Sequence, residues 1–391
     1  MNIPIIKFIK EEQKWQQKFG LTVWALLEEN FSVKLCGGGG GNTSDNNFEI
    51  VGINDWSLSP TEIADLLIHD TVATGRNNIF NRFVNGYTEV VGTNDTTKTT
   101  YKISTGAEIS INYKSGKLSV GGKEIDVYQV FPTYWDALPL GESSVDIMVD
   151  CSGYYLNNSN SSAIVNGFIK FSNAGAKLVV SAYYSSNQLP SVVSSVNNSV
   201  ITKDNIYYEI PHNLATHAIS WLCSALSDLN IITEIRGTEM TAYTNAGLLQ
   251  DGANSRSACY GINKMVDSGP FKSIGLIVPE YNGKCQGVSF TVPVVRGGIV
   301  NVDVLLNKDA KTDDINAALK VATNGSFGYV EDDFTNNDLL FADTPIVVKA
   351  LPSSITYNAG SLMQIQMGYD NIWGLTKQTC NTLVQVKKTF G

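Results

Sequence analysis

The segment between Ser268 and Val330 constrains the fold more than any other part of the chain. Apolar residues alternate with others at Gly275–Pro279 and at Gly287–Pro293, the turn-forming run PEYNGK lies between them, and a third alternating run covers Ile299–Leu306. A period of two is typical of strands that bury one face, so this pattern predicts three neighbouring strands of one sheet.

A helical period follows these strands. Ile315, Leu319 and Ala322 fall on one face of a helix that opens near Asp313, and Thr312 and Asp313 are residue types that cap such a start. A sheet followed by an amphipathic helix predicts an α+β arrangement for this part of the chain.

Length and charge narrow the function classes. The chain has 391 residues, 43% of them hydrophobic and 17% charged, which exceeds the usual domain size of about 150 residues and predicts two ordered domains. Its formal charge of −9 disfavours nucleic acid and anionic membrane surfaces as partners, since both attract basic faces. No apolar run approaches the length of about 18 residues that a membrane span needs, so no span is expected.

The cysteines indicate a reducing compartment. None of the six forms a CxxC pair, which argues against a disulfide framework and against a metal site: Cys36, Cys151, Cys223, Cys259, Cys285 and Cys380. The start of the sequence lacks the pattern of a secretory signal and that of a mitochondrial presequence. We therefore expect a cytoplasmic protein, with an organellar matrix as the open alternative.

The N-terminal half alternates between strand and helix patterns, which predicts a doubly wound sheet. Leu118–Val130 reads as a hairpin that turns at Gly121 and Gly122, and segments 89–113 and 156–163 read as surface insertions. The other expected elements are a strand at Ile3–Ile9, strands in FEIVGINDW, VDIMVDCSGYY and AKLVVSAYY, and a helix at Phe19–Phe31.

Several motifs occur together in an order that resembles the glyceraldehyde-3-phosphate dehydrogenase family. Lys272 follows Ser268 and Gly269 as in the family's Thr-Gly-x-x-Lys, and VPEYNGK, SFTVPV and GYDNIWG match its turn, its next strand and the opening of its last helix. The resemblance implies a Rossmann-type dinucleotide-binding domain over 1–211, completed by helix 371–391, and a glyceraldehyde-3-phosphate dehydrogenase-like domain of catalytic type over 212–370.

The resemblance also shows which cofactor residues are kept and which are replaced. Gly20 keeps the last glycine of the phosphate turn, while Trp15 and Gln17 stand at its two earlier glycines, where they add bulk near the expected pyrophosphate. Asp55 falls at the carboxylate that would hold the adenosine ribose, or it caps the helix that follows. Ser152 and Asn371 fall at further cofactor positions.

The catalytic positions implied by the resemblance have lost their chemistry. The nucleophile position falls on His212 or Asn213, and the position of the basic His falls on Glu239 or Met240. Neither His nor Asn forms the thiohemiacetal that the family's thiolate forms. Cys223, about three helical turns further on, is expected to be a buried packing residue.

The anion sites are kept in part. Thr291 replaces the family's Arg, and a neutral hydroxyl does not replace a charged clamp. Ser268, Gly269 and Arg256 fall at positions that resemble the second anion site.

These replacements favour a non-catalytic structural or binding subunit of a larger assembly, without a cofactor and with other protein subunits as partners. A homo-oligomer is the alternative assembly. The alternative functions are an NAD-dependent aldehyde dehydrogenase and a sensor of a nucleotide or phosphorylated ligand.

Overall fold

The computed structural model describes most of the chain from Trp135 onward and separate segments before it. The described residues are 3–9, 48–63 (without 57 and 61), 84–91, 97–103, 108–112, 116–152 (without 121–122), 161–182, 189–243 (without 230), 261–307 (without 266–268 and 295) and 311–390 (without 324–326, 337, 340–341, 343, 349, 351–355 and 358–359).

The chain divides into two compact units. The first comprises Met1–Gln188, Lys203–Tyr208 and Lys387–Gly391, and the second comprises Leu189–Thr202 and Glu209–Val386. These units are defined by contacts alone, so the domain division expected from the sequence, 1–211 with helix 371–391 and 212–370, stays a prediction.

A mixed sheet forms the first unit, and within the described residues it has ten strands in the order β10-β9-β8-β1-β2-β7-β6-β5-β4-β3. The strands are β1 (Ile3–Ile9), β2 (Phe48–Asp55), β3 (Val84–Val91), β4 (Thr97–Ile103), β5 (Glu108–Asn112), β6 (Lys117–Val120), β7 (Lys123–Tyr128), β8 (Ile147–Asp150), β9 (Leu178–Ser181) and β10 (Tyr207–Glu209). Helix α1 (Ser161–Asn173) joins β8 to β9. The strands predicted at Ile3–Ile9 and in FEIVGINDW, VDIMVDCSGYY and AKLVVSAYY are confirmed, and the last three end at Asp55, Asp150 and Ser181. The helix predicted at Phe19–Phe31 lies outside the described residues.

The central strands of this sheet run parallel and end together. Ile9 of β1 pairs with Asp55, Phe8 pairs with Asp150 of β8, and Asp150 pairs with Ser181 of β9. The carboxyl ends of β2, β8 and β9 therefore lie at one edge, which is where doubly wound sheets bind ligands.

The remaining strands extend the sheet in antiparallel pairs from β3 to β7. Val120 pairs with Lys123, so the hairpin predicted at Leu118–Val130 is confirmed. Most of the insertion predicted at 89–113 lies in β3, β4 and β5 and widens the sheet.

The second unit contains a second sheet in the order β12-β13-β11-β14-β18-β16-β15, with β17 on β18. Its strands are β11 (Ile232–Ala242), β12 (Asn263–Met265), β13 (Cys285–Val292), β14 (Gly298–Leu306), β15 (Gly328–Val330), β16 (Ile346–Val348), β17 (Thr356–Tyr357) and β18 (Gly360–Tyr369). Its helices are α2 (Leu214–Ala225), α3 (Gly269–Lys272), α4 (Ile274–Ile277), α5 (Thr312–Val321) and α6 (Trp373–Phe390). Together the two sheets and their helices confirm the predicted α/β plus α+β class.

The strand predicted at Gly275–Pro279 is wrong. Ile274–Ile277 is helical, and a 3-10 turn follows at Pro279–Tyr281. Ile274 and Ile277 are buried while Leu276 is exposed, so the apolar run follows a helical period of three rather than a strand period of two. The other two predicted strands exist, but β11 lies between them, so they are not neighbours.

Helix α5 has its predicted apolar face, since Ile315 and Leu319 are fully buried. Its start differs from the expectation, because Lys311 occupies the capping position and makes no side-chain capping bond. Thr312 and Asp313 are therefore the first helical residues. The structure contains no helix long and apolar enough to cross a membrane among the residues it describes.

Gly237 and Gly287 leave room for the ring of Phe271 to pack directly on the second sheet. A Cβ on Gly237 of β11 would lie 2.7 Å from the ring of Phe271, and one on Gly287 of β13 would lie 2.4 Å from it. Because the two residues pair in register, Phe271 packs flat against both strands. This packing fixes the face of β11 that carries Ile235, Gly237 and, two residues on, Glu239.

Candidate functional site

The start of α2 carries the two residues predicted at the nucleophile position. Asn213 is the N-cap, and its Oδ1 accepts a hydrogen bond of 2.8 Å from the backbone N–H of Ala215. A side-chain oxygen in this place satisfies one of the free N–H groups of the first helical turn. Asn213 therefore stabilises the helix, and half-buried His212 precedes it.

The two residues predicted at the position of the base lie on opposite faces of strand β11. Glu239 is fully buried, whereas Met240, next in the strand and on the other face, is 39% exposed. The Ser289 hydroxyl donates a 2.6 Å hydrogen bond to Oε2 of Glu239, and the Tyr369 hydroxyl donates a short hydrogen bond to Oε1. One carboxylate thus joins β11, β13 and β18.

Both oxygens of the Glu239 carboxylate are hydrogen-bonded, and the side chain is buried. Burial and the neighbouring Glu239 hold the pKa of Tyr369 well above its ordinary value, so the phenol keeps its proton and acts as a donor. Each oxygen of Glu239 has a hydroxyl partner, and water does not reach the residue. A general base must reach the proton that it abstracts, and here both oxygens of Glu239 accept hydrogen bonds from hydroxyl groups of the protein.

The described cysteines lie away from both positions. Cys223 is ten residues beyond Asn213, about 15 Å along the helix axis, and it is fully buried with Ile219 and Leu222 as predicted. Burial, with the neighbouring Cys285 thiol, holds its pKa well above the ordinary value, the opposite of what a nucleophilic thiolate needs. Cys285 is four residues before Ser289 in β13, about 13 Å along the strand. Cys151 and Cys380 are fully buried.

Asp55 lies at the carboxyl edge of the first sheet, and it is buried. Its Oδ1 accepts a 3.1 Å hydrogen bond from the backbone N–H of Leu58. The helical turn that follows is capped by Ser59 and Glu62, whose side chains bond each other's backbone N–H groups. Ser59 thus holds the capping position of this turn. The two roles predicted for this segment, Asp55 toward a ribose and Asn54-Asp55 as a cap, stay predictions.

Asp150 lies at the same edge and is also buried. Its Oδ1 accepts a 2.8 Å hydrogen bond from the backbone N–H of Ser152, a residue that we predicted near the cofactor. Burial raises the pKa of Asp150 to about 6, while the bonds with Ser152 lower it. This edge therefore keeps a carboxyl group that is costly to ionise.

Asn371 bonds within the chain. Its Oδ1 accepts a 2.7 Å hydrogen bond from the backbone N–H of Gly297. The residues next to this pair are joined as well, since Arg296 forms a buried two-point ion pair with Asp370 at 2.9 and 2.7 Å. Asn371 thus ties the start of α6 to the turn before β14, and its carbonyl oxygen is engaged.

The other predicted binding positions are only partly described. Gly269 is the first residue of the short helix α3. Gly20, Arg256 and Ser268 lie outside the described residues, together with Trp15 and Gln17. Within the part of the chain that the structure describes, no group of three potential metal-ligating side chains occurs.

Sequence reasoning missed the partners of Glu239. Ser289 lies 50 residues away in the chain and Tyr369 lies 130 residues away. The available signal was the motif GYDN, which contains Tyr369, but only the pairing of the strands brings these hydroxyls to one carboxylate.

Known proteins are similar to this sequence over most of its length. The family model for the C-terminal domain of glyceraldehyde 3-phosphate dehydrogenase matches residues 215–371. The glyceraldehyde-3-phosphate dehydrogenase of Clostridium pasteurianum is 29% identical over 280 residues, which cover 70% of this chain and 81% of the relative. Those of Clostridium acetobutylicum (28% over 285 residues, 71% and 82%) and Streptococcus pyogenes serotype M1 (27% over 281 residues, 70% and 81%) are similar to it to the same degree.

Proposed function

Because the chain belongs to the glyceraldehyde-3-phosphate dehydrogenase family, we propose that it is a non-catalytic member that serves as a structural or binding subunit of a larger assembly. Its partners are other protein subunits in a reducing compartment such as the cytoplasm, and a homo-oligomer is the simplest alternative assembly. The relatives carry the name of an active dehydrogenase, so the argument rests on the site rather than on the similarity.

The observation that carries the proposal is that Glu239 is fully buried and that both of its carboxylate oxygens are hydrogen-bonded. Aldehyde oxidation of this kind needs a thiolate next to a group that takes up a proton. At the base position, Glu239 bonds Ser289 and Tyr369 and is shut off from solvent. At the nucleophile position, Asn213 caps a helix. Both positions contribute to stability instead.

The cofactor fits the described residues only in part. NAD would supply hydride acceptance, and Asp55, at the carboxyl end of β2, is suited to a ribose hydroxyl. Asn371 fits less well, since its carbonyl oxygen already accepts the N–H of Gly297. We propose that the protein acts without NAD.

Activity measurements test the catalytic part of the proposal. The purified protein is assayed for NAD-dependent phosphorylating oxidation of glyceraldehyde 3-phosphate, with the Clostridium pasteurianum relative as the positive control. We expect no turnover, and none after His212→Cys, because the base position would still be closed. Turnover by the unmodified protein that iodoacetamide abolishes would overturn the proposal.

Purification from the native source tests the subunit part. We expect the protein to elute in size-exclusion chromatography well above its monomer mass of 42.5 kDa, together with unrelated chains. Elution as a monomer at native concentration would contradict a role as a subunit, and elution as a pure homo-oligomer would establish the alternative assembly.

A second candidate function, a nucleotide sensor, is favoured by the carboxyl edge of the first sheet. Asp55 and Asp150 are both buried at the end where such sheets bind ligands. NAD and ADP-ribose are added at millimolar concentration while melting is followed, and a ligand at about 100 times its Kd would add about 2.7 kcal/mol. We expect no shift, whereas a shift that Asp55→Ala abolishes would favour the sensor, or the dehydrogenase if turnover accompanies it.

A further inference from the structure

Two exposed aromatic rings lie on one turn of the first unit. Phe131 is 37% exposed and Tyr134 is 64% exposed, and the backbone N–H of Tyr134 donates a 2.8 Å hydrogen bond to the Phe131 carbonyl oxygen. Single exposed apolar residues are normal on a protein surface, whereas neighbouring ones mark candidate contact sites. Aromatic residues are also enriched at the centres of protein interfaces.

The turn that carries these rings is anchored by its buried neighbours. It belongs to a short 3-10 helix, Pro132–Ala137, in which Trp135 is fully buried. The indole of Trp135 stacks on the ring of Phe171 in α1 with centroids 4.6 Å apart, and the Lys170 ammonium group donates a 2.8 Å hydrogen bond to the Thr133 carbonyl oxygen. Side chains on an anchored backbone lose less conformational freedom when a partner binds.

The same turn is joined to the end of β2. The side chain of Asn54 forms hydrogen bonds of 3.0 and 2.7 Å with the carbonyl oxygen and the N–H of Val130. Phe131 meets half-buried Trp56 edge to face, with ring centroids 5.0 Å apart. Trp56, Phe131 and Tyr134 thus form one surface, the aromatic patch.

The surroundings of the aromatic patch are acidic. Segments 53–63 and 125–137, which carry the patch, contain acidic residues but no lysine or arginine. Asp136 follows Tyr134 by two residues, its side chain is 51% exposed, and Lys170 approaches its carboxylate at 3.5 Å. Such an exposed ion pair is weak, so the carboxylate can accept a second cation. Aromatic faces attract cations as well, arginine most often.

We propose that the aromatic patch is a docking surface for a basic segment of another protein subunit, with an arginine or lysine of that segment stacked on Tyr134 and paired with Asp136. This inference rests on the proposed function, because it assigns a surface and a partner chemistry to the subunit role. A second copy of the chain fits less well, since its own patch is equally acidic. A nucleotide would also stack on the rings, but its phosphates would meet the acidic side chains.

Site-specific photocrosslinking in the native source tests the proposal. Tyr134→p-benzoylphenylalanine introduces a photoreactive ring at the most exposed position of the patch, and size-exclusion chromatography of the same extract reports whether the assembly is present. We expect a cross-link from position 134 to a segment of a different protein that contains arginine or lysine. Val321→p-benzoylphenylalanine is the matched control, because Val321 is 86% exposed on α5 of the second unit and should not cross-link to that segment.

Affinity measurements with the cross-linked protein, once purified, test the contribution of the ring. Tyr134 is mostly exposed, so its substitution leaves the core intact. We expect Tyr134→Ala to raise the Kd at least about tenfold, as for other central aromatic residues, and Tyr134→Phe, which keeps the aromatic face, to change it little. Because the partner is basic, the Kd should also rise between about 0.05 M and 0.5 M salt.

The outcomes separate the surface from the subunit role. An assembly that persists in size-exclusion chromatography without a cross-link from position 134 would overturn the docking surface and leave the proposed function standing. A monomer without a cross-link would overturn both. A cross-link to a second copy, to a nucleotide or to a segment without basic residues, or a Kd that Tyr134→Ala does not change, would also overturn the docking proposal.

Discussion

Asp150 in the first unit and Glu239 in the second are equally buried acids with very different surroundings. Asp150 is 3% exposed, and its side chain is hydrogen-bonded by Ser152, two residues further along the chain, after the end of β8. Glu239 is completely buried, and hydroxyls from two other strands bond its two oxygens. Asp150 is therefore bonded by a residue close to it in the chain, whereas Glu239 is bonded by residues that are distant from it in the chain.

This difference separates a position that costs stability from one that contributes to it. A buried carboxyl group with few donors is expensive to ionise, which is why the pKa of Asp150 is raised to about 6. Such groups are typical of ligand-binding edges. In the second unit, Glu239 and Asn213 are engaged in hydrogen bonds that stabilise the fold, whereas Asp150 of the first unit is bonded from within its own segment.

The largest expected effect is at another buried acid of the second unit, Asp370. Arg296→Met would leave this fully buried carboxylate without its ion-pair partner, and we expect a loss of about 3–5 kcal/mol in the free energy of unfolding. Urea denaturation followed by circular dichroism measures it. The double variant Arg296→Met with Asp370→Asn should recover part of the loss.

A matched surface pair provides the control for this experiment. Lys320 and Glu331 are 2.6 Å apart but more than half exposed, so Lys320→Met should leave the free energy of unfolding unchanged within error. Equal losses in Arg296→Met and Lys320→Met would mean that the internal ties of the second unit are not special.

The pH dependence of the stability of Asp150→Asn tests whether ionisation of buried Asp150 destabilises the protein. The folded pKa of about 6 lies above the ordinary 3.8, so the native state binds more protons than the unfolded state between these values, and stability falls as pH rises from 4 to 6. The pKa difference corresponds to roughly 3 kcal/mol. We therefore expect the free energy of unfolding of the variant, relative to that of the parent protein, to rise by up to that amount from pH 4 to pH 6. Urea titrations at each pH measure it. A constant difference would show that Asp150 is not costly to ionise.

His217 in the second unit should show the opposite sign. Burial lowers its pKa from 6.5 to about 4, and its Nε2 bonds the Pro211 carbonyl oxygen at 2.7 Å. The native state then binds fewer protons, so stability is lost as pH falls from 6.5 to 4, by up to roughly 3 kcal/mol. His217→Gln keeps a donor to Pro211 and should gain on the parent protein over this range. Parallel pH curves for the two proteins would contradict the expectation.

Tyr369→Phe removes one of the two hydroxyls that hold Glu239. The buried carboxylate would lose a donor, so we expect a loss of about 2 kcal/mol in unfolding free energy, measured by urea denaturation. Tyr207→Phe is the matched control, because that hydroxyl bonds the neutral Ser172 hydroxyl at 2.9 Å and should cost about 1 kcal/mol or less. Equal losses would mean that Glu239 needs no support from Tyr369.

Local pattern predicted the elements of the first unit well. The hairpin at Leu118–Val130 follows from turn chemistry at Gly121 and Gly122, and the strand Ile3–Ile9 follows from a short, mostly apolar run that is typical of a buried strand. Gly275–Pro279 misled the prediction because its apolar residues Leu276–Val278 are compatible with a strand and with a short helix, and tertiary packing of Ile274 and Ile277 decides between them.

The site was less predictable than the fold. Burial of Cys223 followed from helical spacing, since its neighbours on the same helix are apolar. The tie between Glu239 and Tyr369 did not, because it depends on the order of the strands, and β11 reaches β18 only through β14. Contacts across 130 residues are properties of topology, which no local pattern contains.

The smallest expected effect concerns Asn213, one of the two residues predicted at the nucleophile position. Its side chain accepts the Ala215 N–H at the start of α2, and replacement of such a cap by alanine typically costs about 1 kcal/mol. We expect that loss for Asn213→Ala, and nearly none for Asn213→Asp, which keeps the acceptor and adds a negative charge where the helix dipole favours it. The midpoint of urea denaturation measures both. A loss in both variants would show that the amide group itself is required, and that position 213 serves something other than the stability of its helix.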